Sequence, residues 1–229
     1  PLLETATKGV SDARILDCGC GTGANLAMLD RFGRAYRFDL TAVGLEIGHQ
    51  EGRTRLARPS VAAVPFPSNA FQVVTSFDVL YGLETPIEQA AAAEMFRVAR
   101  PGGFVIVNVA AMDILKGDHS VLGHEVRRYS RESLTRLLTA TGLEVVRITH
   151  TNASLFLPMV VVRTLQRWRG LRAEEEAKDD ISVPPAPLNE LLTAVLVVES
   201  WWARAFNSPF GSSLLCLARK PGSARTNKS

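Results

Sequence analysis

The run Ile15-Leu16-Asp17-Cys18-Gly19-Cys20-Gly21-Thr22-Gly23-Ala24-Asn25 decides how the chain is read. A short apolar strand ends beside an acid, and three glycines at alternate positions open a helix. Glycine lets the backbone turn sharply and come close to a ligand, while a helix starting near Thr22 points unpaired N–H groups and its positive end at whatever lies there. A nucleotide-like ligand with an anionic group suits that geometry. Two patterns fit the glycines. Gly19, Gly21 and Ala24 satisfy the G-x-G-x-x-A of a dinucleotide turn, whereas Gly19, Gly21 and Gly23 make a tighter G-x-G-x-G with Asp17 two positions ahead of it.

Moving outward, 229 residues suffice for one main domain with an appended subdomain. A hydrophobic content of 46% with 21% charged residues excludes a disordered chain. The formal charge of +3 is too mild for the dense basic face of a nucleic-acid binder. Cys18, Cys20 and Cys216 offer no disulfide framework, which points to a reducing, cytoplasmic setting. No secretory leader opens the chain, Pro1 in place of Met marks a trimmed or partial start, and no apolar run approaches the roughly 20 residues that span a bilayer.

Along the chain, strands are expected at Arg14–Cys18, Tyr36–Leu40, Thr54–Val61, Phe71–Ser76, Phe104–Val109 and Leu143–His150. Helices are expected at Thr22–Phe32, at the alanine-rich Glu84–Arg100, closed by Pro101-Gly102-Gly103, and at Ser130–Thr141 with an N-cap. Such alternation predicts an α/β fold: a doubly wound, mostly parallel, Rossmann-like sheet with helices on both faces. Ligands then lie beyond the carboxyl ends of the strands, where the glycine turn, Asp39, Ser60 and Ser76–Asp78 all fall. Asp39 is placed to accept hydrogen bonds from ribose hydroxyls; Glu46 is its rival for that role.

Taken together, Ile15–Gly23, Asp39, Val64-Pro65-Phe66-Pro67, Val73–Leu80, Arg97–Gly103 and Arg128-Tyr129-Ser130 resemble, in order, the class I S-adenosylmethionine-dependent methyltransferases that act on small molecules. The Pro-Gly-Gly element is foreign to the dinucleotide fingerprint and favours this family. The resemblance covers Arg14–His150 and extends to Ser212–Arg219 as an antiparallel last strand, the seventh. It implies that Asp17, Gly19, Cys20, Gly21, Thr22 and Gly23 hold the methionine part of S-adenosylmethionine, Asp39 and Leu40 the ribose, Ser60 and Val61 the adenine, and that Phe77 and Asp78 lie near the reacting end. Gln72 departs from a common Asp, which removes only a structural contact. Tyr81 and Gly82 stand where the family often has an acid and a histidine.

Methyl transfer from a sulfonium asks the protein mainly for orientation and desolvation, with a base only where the nucleophile carries a proton. Base candidates are His119 and His124 in the polar loop after the fifth strand, and Tyr81 is a candidate for orienting the acceptor. Each has an equally ordinary alternative as a loop or packing residue. No metal set emerges, and Arg127 and Arg128 read as a solvated basic pair.

Thr151–Phe210 inserts about sixty residues before the last strand. Leu155–Arg172 passes from apolar to Arg- and Trp-rich; an acidic run, a Pro184–Pro187 connector and an amphipathic Leu188–Phe206 follow. The division is 1–150 with 211–220 as the cofactor-binding domain, 151–210 as a helical insertion, and 221–229 as a flexible tail. The insertion reads as a hairpin packed on the sheet that caps the acceptor pocket, with a membrane or lipid-linked substrate contact and a homodimer interface as its alternatives. The expected activity is methylation of a small, hydrophobic acceptor at O, N or C. A non-catalytic nucleotide-binding scaffold and a NAD-dependent oxidoreductase compete with it.

Overall fold

The computed structural model describes residues 1–19, 25–38, 56–57, 64–117, 120, 125–169 and 185–222. Strands β1 (Arg14–Cys18), β2 (Arg34–Phe38), β3 (Leu56–Ala57), β4 (Phe71–Phe77), β5 (Ala99–Ala110), β6 (Glu144–Thr151) and β7 (Ser213–Arg219) form one sheet in the order β3-β2-β1-β4-β5-β7-β6. Six have five residues or more; β3 contributes only two residues at the edge. The first five run parallel, and β7 runs antiparallel between β5 and β6. The helices are α1 (Leu2–Thr7), α2 (Leu26–Leu29), α3 (Thr85–Val98), α4 (Arg131–Ala140), α5 (Phe156–Arg169) and α6 (Ala186–Ala205).

Strand alternation sorts side chains to two cores. Ile15, Val73, Ile106 and Leu217 face α1 and α2, while Leu16, Val74, Val105 and Cys216 face α3 and α4. β4 is buried on both faces, as an inner parallel strand should be. Each fully buried aliphatic, such as Leu16 or Leu138, contributes about 1.5–3 kcal/mol by leaving water. α4 begins as expected: Ser130 Oγ accepts from the Ser133 N–H, and Ser133 Oγ accepts from the Ser130 N–H.

Two expectations are corrected. α3 stops at Val98, because Ala99 already pairs with Phe71 in the sheet. Residues 100–103 then bulge outward before Phe104 pairs with Val73. Here Gly102 takes φ +76°, its N–H donates to the Lys220 carbonyl (2.9 Å), and the Lys220 ammonium donates to the carbonyls of Phe96 and Ala99 (both 2.8 Å) at the negative end of α3. Arg127 and Arg128 are not a solvated pair: Arg127 pairs with Glu88, and Arg128 with Glu125. No residue of α6 is fully buried; Leu196 and Ala203 line a cavity of about 200 Å³ together with Thr149 and Leu215 of the sheet.

The insertion leaves and re-enters at neighbouring points, since Thr151 pairs with Ser213. Its helices are held at their ends. The Glu199 carboxylate accepts from the N–H groups of Ala153 (2.7 Å) and Ser154 (3.0 Å) just ahead of α5. Arg147 donates to Asn207 Oδ1 (2.8 Å) and to the Phe206 carbonyl (3.0 Å) beyond the C-terminus of α6. Cys18 and Cys216 are buried, and burial pushes the Cys216 thiol up to about 12.

Candidate active site

β1 delivers Asp17 to its carboxyl end, 2% exposed. A buried carboxylate needs donors. The Thr75 hydroxyl on neighbouring β4 supplies one, 2.6 Å from Asp17 Oδ1. Sequence reasoning missed Thr75, whose only signal is a hydroxyl inside the otherwise apolar Val73-Val74-Thr75. Two residues on, Gly19 takes φ +78°, and a β-carbon there would run into the Val79 side chain. Only glycine fits, which leaves bare backbone at the mouth of the turn. Cys20, Gly21, Thr22, Gly23, Asp39, Leu40, Ser60, Val61, His119 and His124 lie outside the described residues, as do Glu46 and His49.

On the next strand end, Phe77 is half-buried and Asp78 is exposed. Asp78 takes a left-handed φ of +60°, uncommon outside glycine, and is held there by a reciprocal pair with Asn108 on β5. Its N–H donates to the Asn108 carbonyl, and its Oδ1 accepts from Asn108 Nδ2, both at 3.0 Å. The backbone is thus bent away from the strand direction at the point where β4 meets the cleft.

That cleft, of about 280 Å³, is lined by Asp78, Tyr81, Glu125, Arg128, Met159 and Arg163, with Ala110, Leu115, Ser212 and Ser213 behind them. It lies at the carboxyl ends of β4 and β5, with α5 as one wall. Arg128 is 7% exposed and occupied: it holds Glu125 through two bonds (2.9 and 2.8 Å) and donates to the Ala111 carbonyl (3.0 Å). Tyr81 is different. Burial, then the negative charges of Asp78 and Glu125, raise its phenol above the ordinary value, so it stays protonated and is a hydrogen-bond donor rather than a base.

Tyr81 is set from behind. Its carbonyl accepts the N–H groups of Val126 (2.9 Å) and Arg127 (3.1 Å). That segment is tied to α3 by Glu88, 6% exposed, which accepts from both the Tyr129 hydroxyl and the Arg127 guanidinium. Burial and the Glu88 carboxylate push the Tyr129 phenol far upward, keeping it a donor. Glu88 was also missed; a lone acid on the alanine face of a helix is its trace in the sequence. Among the described residues no three His, Cys, Asp or Glu side chains are grouped to hold a metal ion. Gln72 Nε2 donates to the Ala6 carbonyl (3.1 Å), a structural contact to α1.

Comparison with known proteins brings this geometry together. Residues 16–107 match the family model described as "Methyltransferase domain". The 2-methyl-6-phytyl-1,4-hydroquinone methyltransferase of Synechocystis is 30% identical over 114 residues, 46% of this chain and 33% of that protein. The ubiquinone/menaquinone biosynthesis C-methyltransferase UbiE of Shewanella halifaxensis is 26% identical over 136 residues, 54% of this chain and 51% of its own length. The chain thus spans between a third and about half of these curated relatives. A solved geranyl diphosphate C-methyltransferase from Streptomyces coelicolor, bound to S-adenosyl-L-homocysteine, has the same fold: TM-score 0.57, 14% identity, covering 91% of this chain and 74% of that one.

Proposed function

We propose that this chain, whose residues 16–107 match the methyltransferase-domain family model, is a class I methyltransferase that transfers a methyl group from S-adenosylmethionine to a small hydrophobic acceptor. The observation that carries this reading is the family match laid over a fitting half-site: Asp17, locked by Thr75, beside the bare backbone of Gly19. S-adenosylmethionine, when bound, supplies an electrophilic methyl on its sulfonium. Asp17, Gly19, Cys20, Gly21, Thr22 and Gly23 would hold its methionine part, Asp39 and Leu40 its ribose, and Ser60 and Val61 its adenine. Phe77 and Asp78 would border the reacting end.

On the acceptor side the protonated Tyr81 donates to an acceptor oxygen and fixes its orientation, while Met159 and α5 exclude water. Orientation and desolvation are the main contributions open to a protein in such a displacement. His119 and His124 are the candidate bases for an acceptor that holds a proton. The names of the relatives, a 2-methyl-6-phytyl-1,4-hydroquinone methyltransferase and a ubiquinone/menaquinone biosynthesis C-methyltransferase, support an acceptor with a polar ring and an apolar tail, the ring meeting the polar cleft beside Tyr81. Cysteine usage favours the cytoplasm; 151–210 is the part available for contact with a lipid-linked acceptor or a second copy.

Calorimetry with S-adenosylmethionine, S-adenosylhomocysteine and NAD tests the proposal, with Asp39→Ala as control. Micromolar binding of the first two, about −8 kcal/mol and weaker in the variant, is expected. Tighter binding of NAD, or no binding of either sulfur compound, would return the glycine turn to an oxidoreductase or a non-catalytic scaffold.

A further inference from the structure

All three tryptophans of the chain stand outward on α5 and α6: Trp168 is 85% exposed, Trp201 69% and Trp202 62%. On α5 they continue a stripe, since Leu157, Val161, Leu165 and Trp168 recur at helical spacing and are 57–85% exposed. The inward residues of the same helix serve the cleft: Met159 and Arg163 line it, and Gln166 is buried. α6, apolar over most of its twenty residues, buries none of them.

We infer that α5 and α6 lie on an anionic lipid surface, from which an amphipathic acceptor passes under α5 to Tyr81; the second half of this rests on the methyltransferase reading of the cleft. Aromatic and aliphatic residues on one face with arginine beside them are the composition of helices that lie in a bilayer interface. The charge agrees in sign. Apart from Arg163, which serves the cleft, the two helices hold three arginines (Arg167, Arg169, Arg204) against two glutamates, and one of those, Glu199, is committed to Ala153 and Ser154. At 1.5 Å per residue α5 is about 21 Å long, short of the roughly 30 Å needed to cross a bilayer. Among the described residues no helix is long and apolar enough to cross a membrane.

The tryptophans make the experiment direct. The whole chain is mixed with vesicles of phosphatidylcholine, with or without phosphatidylglycerol, and followed by flotation and by tryptophan emission. Flotation with a blue shift is expected on the anionic vesicles, weakening with salt. It should fall about tenfold in the Trp168→Gln/Trp201→Gln variant, which keeps Trp202 as reporter. These side chains are exposed, so the melting temperature and the binding of S-adenosylmethionine should not change. Absence of flotation on both vesicles, or equal flotation of the double variant, would overturn the proposal. So would a stable dimer in sedimentation velocity whose emission is already blue-shifted and indifferent to lipid, since a second copy would then cover the face. Flotation retained by a protein that fails to bind S-adenosylmethionine would support docking while refuting the methyltransferase reading.

Discussion

Replacing Thr75 by Val exchanges a hydroxyl for a methyl of nearly the same shape at a fully buried position, and so isolates one bond. The hydroxyl has a single proton. Asp17 Oδ1, at 2.6 Å, takes it in preference to the Leu16 carbonyl at 3.3 Å. A hydrogen bond to a charged partner contributes about 1.5–3 kcal/mol, and the buried carboxylate has little water to replace it. A loss near 2 kcal/mol is expected, which in a chain of this size lowers the melting temperature by about 4–8 °C. Asp17 also loses the anchor that aims it, so the affinity for S-adenosylmethionine should drop on the order of tenfold. Thr75→Ser keeps the donor and should recover binding while costing about 1 kcal/mol for the lost methyl. Thermal denaturation and calorimetry on the three proteins decide the matter. A Val variant that melts lower yet binds normally would show that Asp17 is structural; one unchanged in both would refute the account of the site.

Four further outcomes follow from the same geometry. Glu88→Ala strands the Tyr129 hydroxyl and frees Arg127, so urea denaturation should show a loss of about 2–4 kcal/mol, with Glu88→Gln milder. Tyr81→Phe should lower kcat/KM for the acceptor by about 10–100-fold while leaving cofactor affinity unchanged. Gly19→Ala forces a β-carbon into Val79 at a left-handed φ; a destabilisation of about 1–3 kcal/mol and lost cofactor binding are expected by denaturation and calorimetry. His150, lowered mainly by burial, donates from Nδ1 to the Ser208 carbonyl (3.2 Å), and its neutral ring is favoured in the fold. The unfolded chain therefore binds the extra proton: this contribution is complete above about pH 6.5 and is lost as pH falls below it, and melting curves should show His150→Asn flattening the profile.

The elements with local signals were legible: β1, the left-handed backbone at Gly19 and the N-cap of α4 are each specified within ten residues, and strand burial shows directly as the apolar runs of β1 and β4. What sequence could not show are partnerships made by folding. Thr75 meets Asp17 across 58 residues, and Glu88 meets Tyr129 across 41. Arg127 read as solvated for the same reason, since Glu88 reaches it only through α3, whereas Arg128 is paired locally with Glu125 and it is burial in the cleft that the sequence did not show. Helix α3 ran two residues too long on paper because Ala99 and Arg100 favour helix locally, and the pairing of Ala99 with Phe71 overrides that preference.

The position of β7 has a bearing on how the protein is made. It is the last strand of the sheet to be synthesised, yet it lies between β5 and β6, hydrogen-bonded along both sides. On the ribosome β1, β4 and β5 can assemble as they emerge, but β6 has no partner until more than sixty further residues have been translated. Its edge stays open for that interval, a template for unwanted pairing. With β7's partners some 62 to 115 residues away in sequence, closure of the sheet is a late, high-contact-order event. A nascent chain paused within α6 should thus carry a folded parallel core beside an unpaired β6.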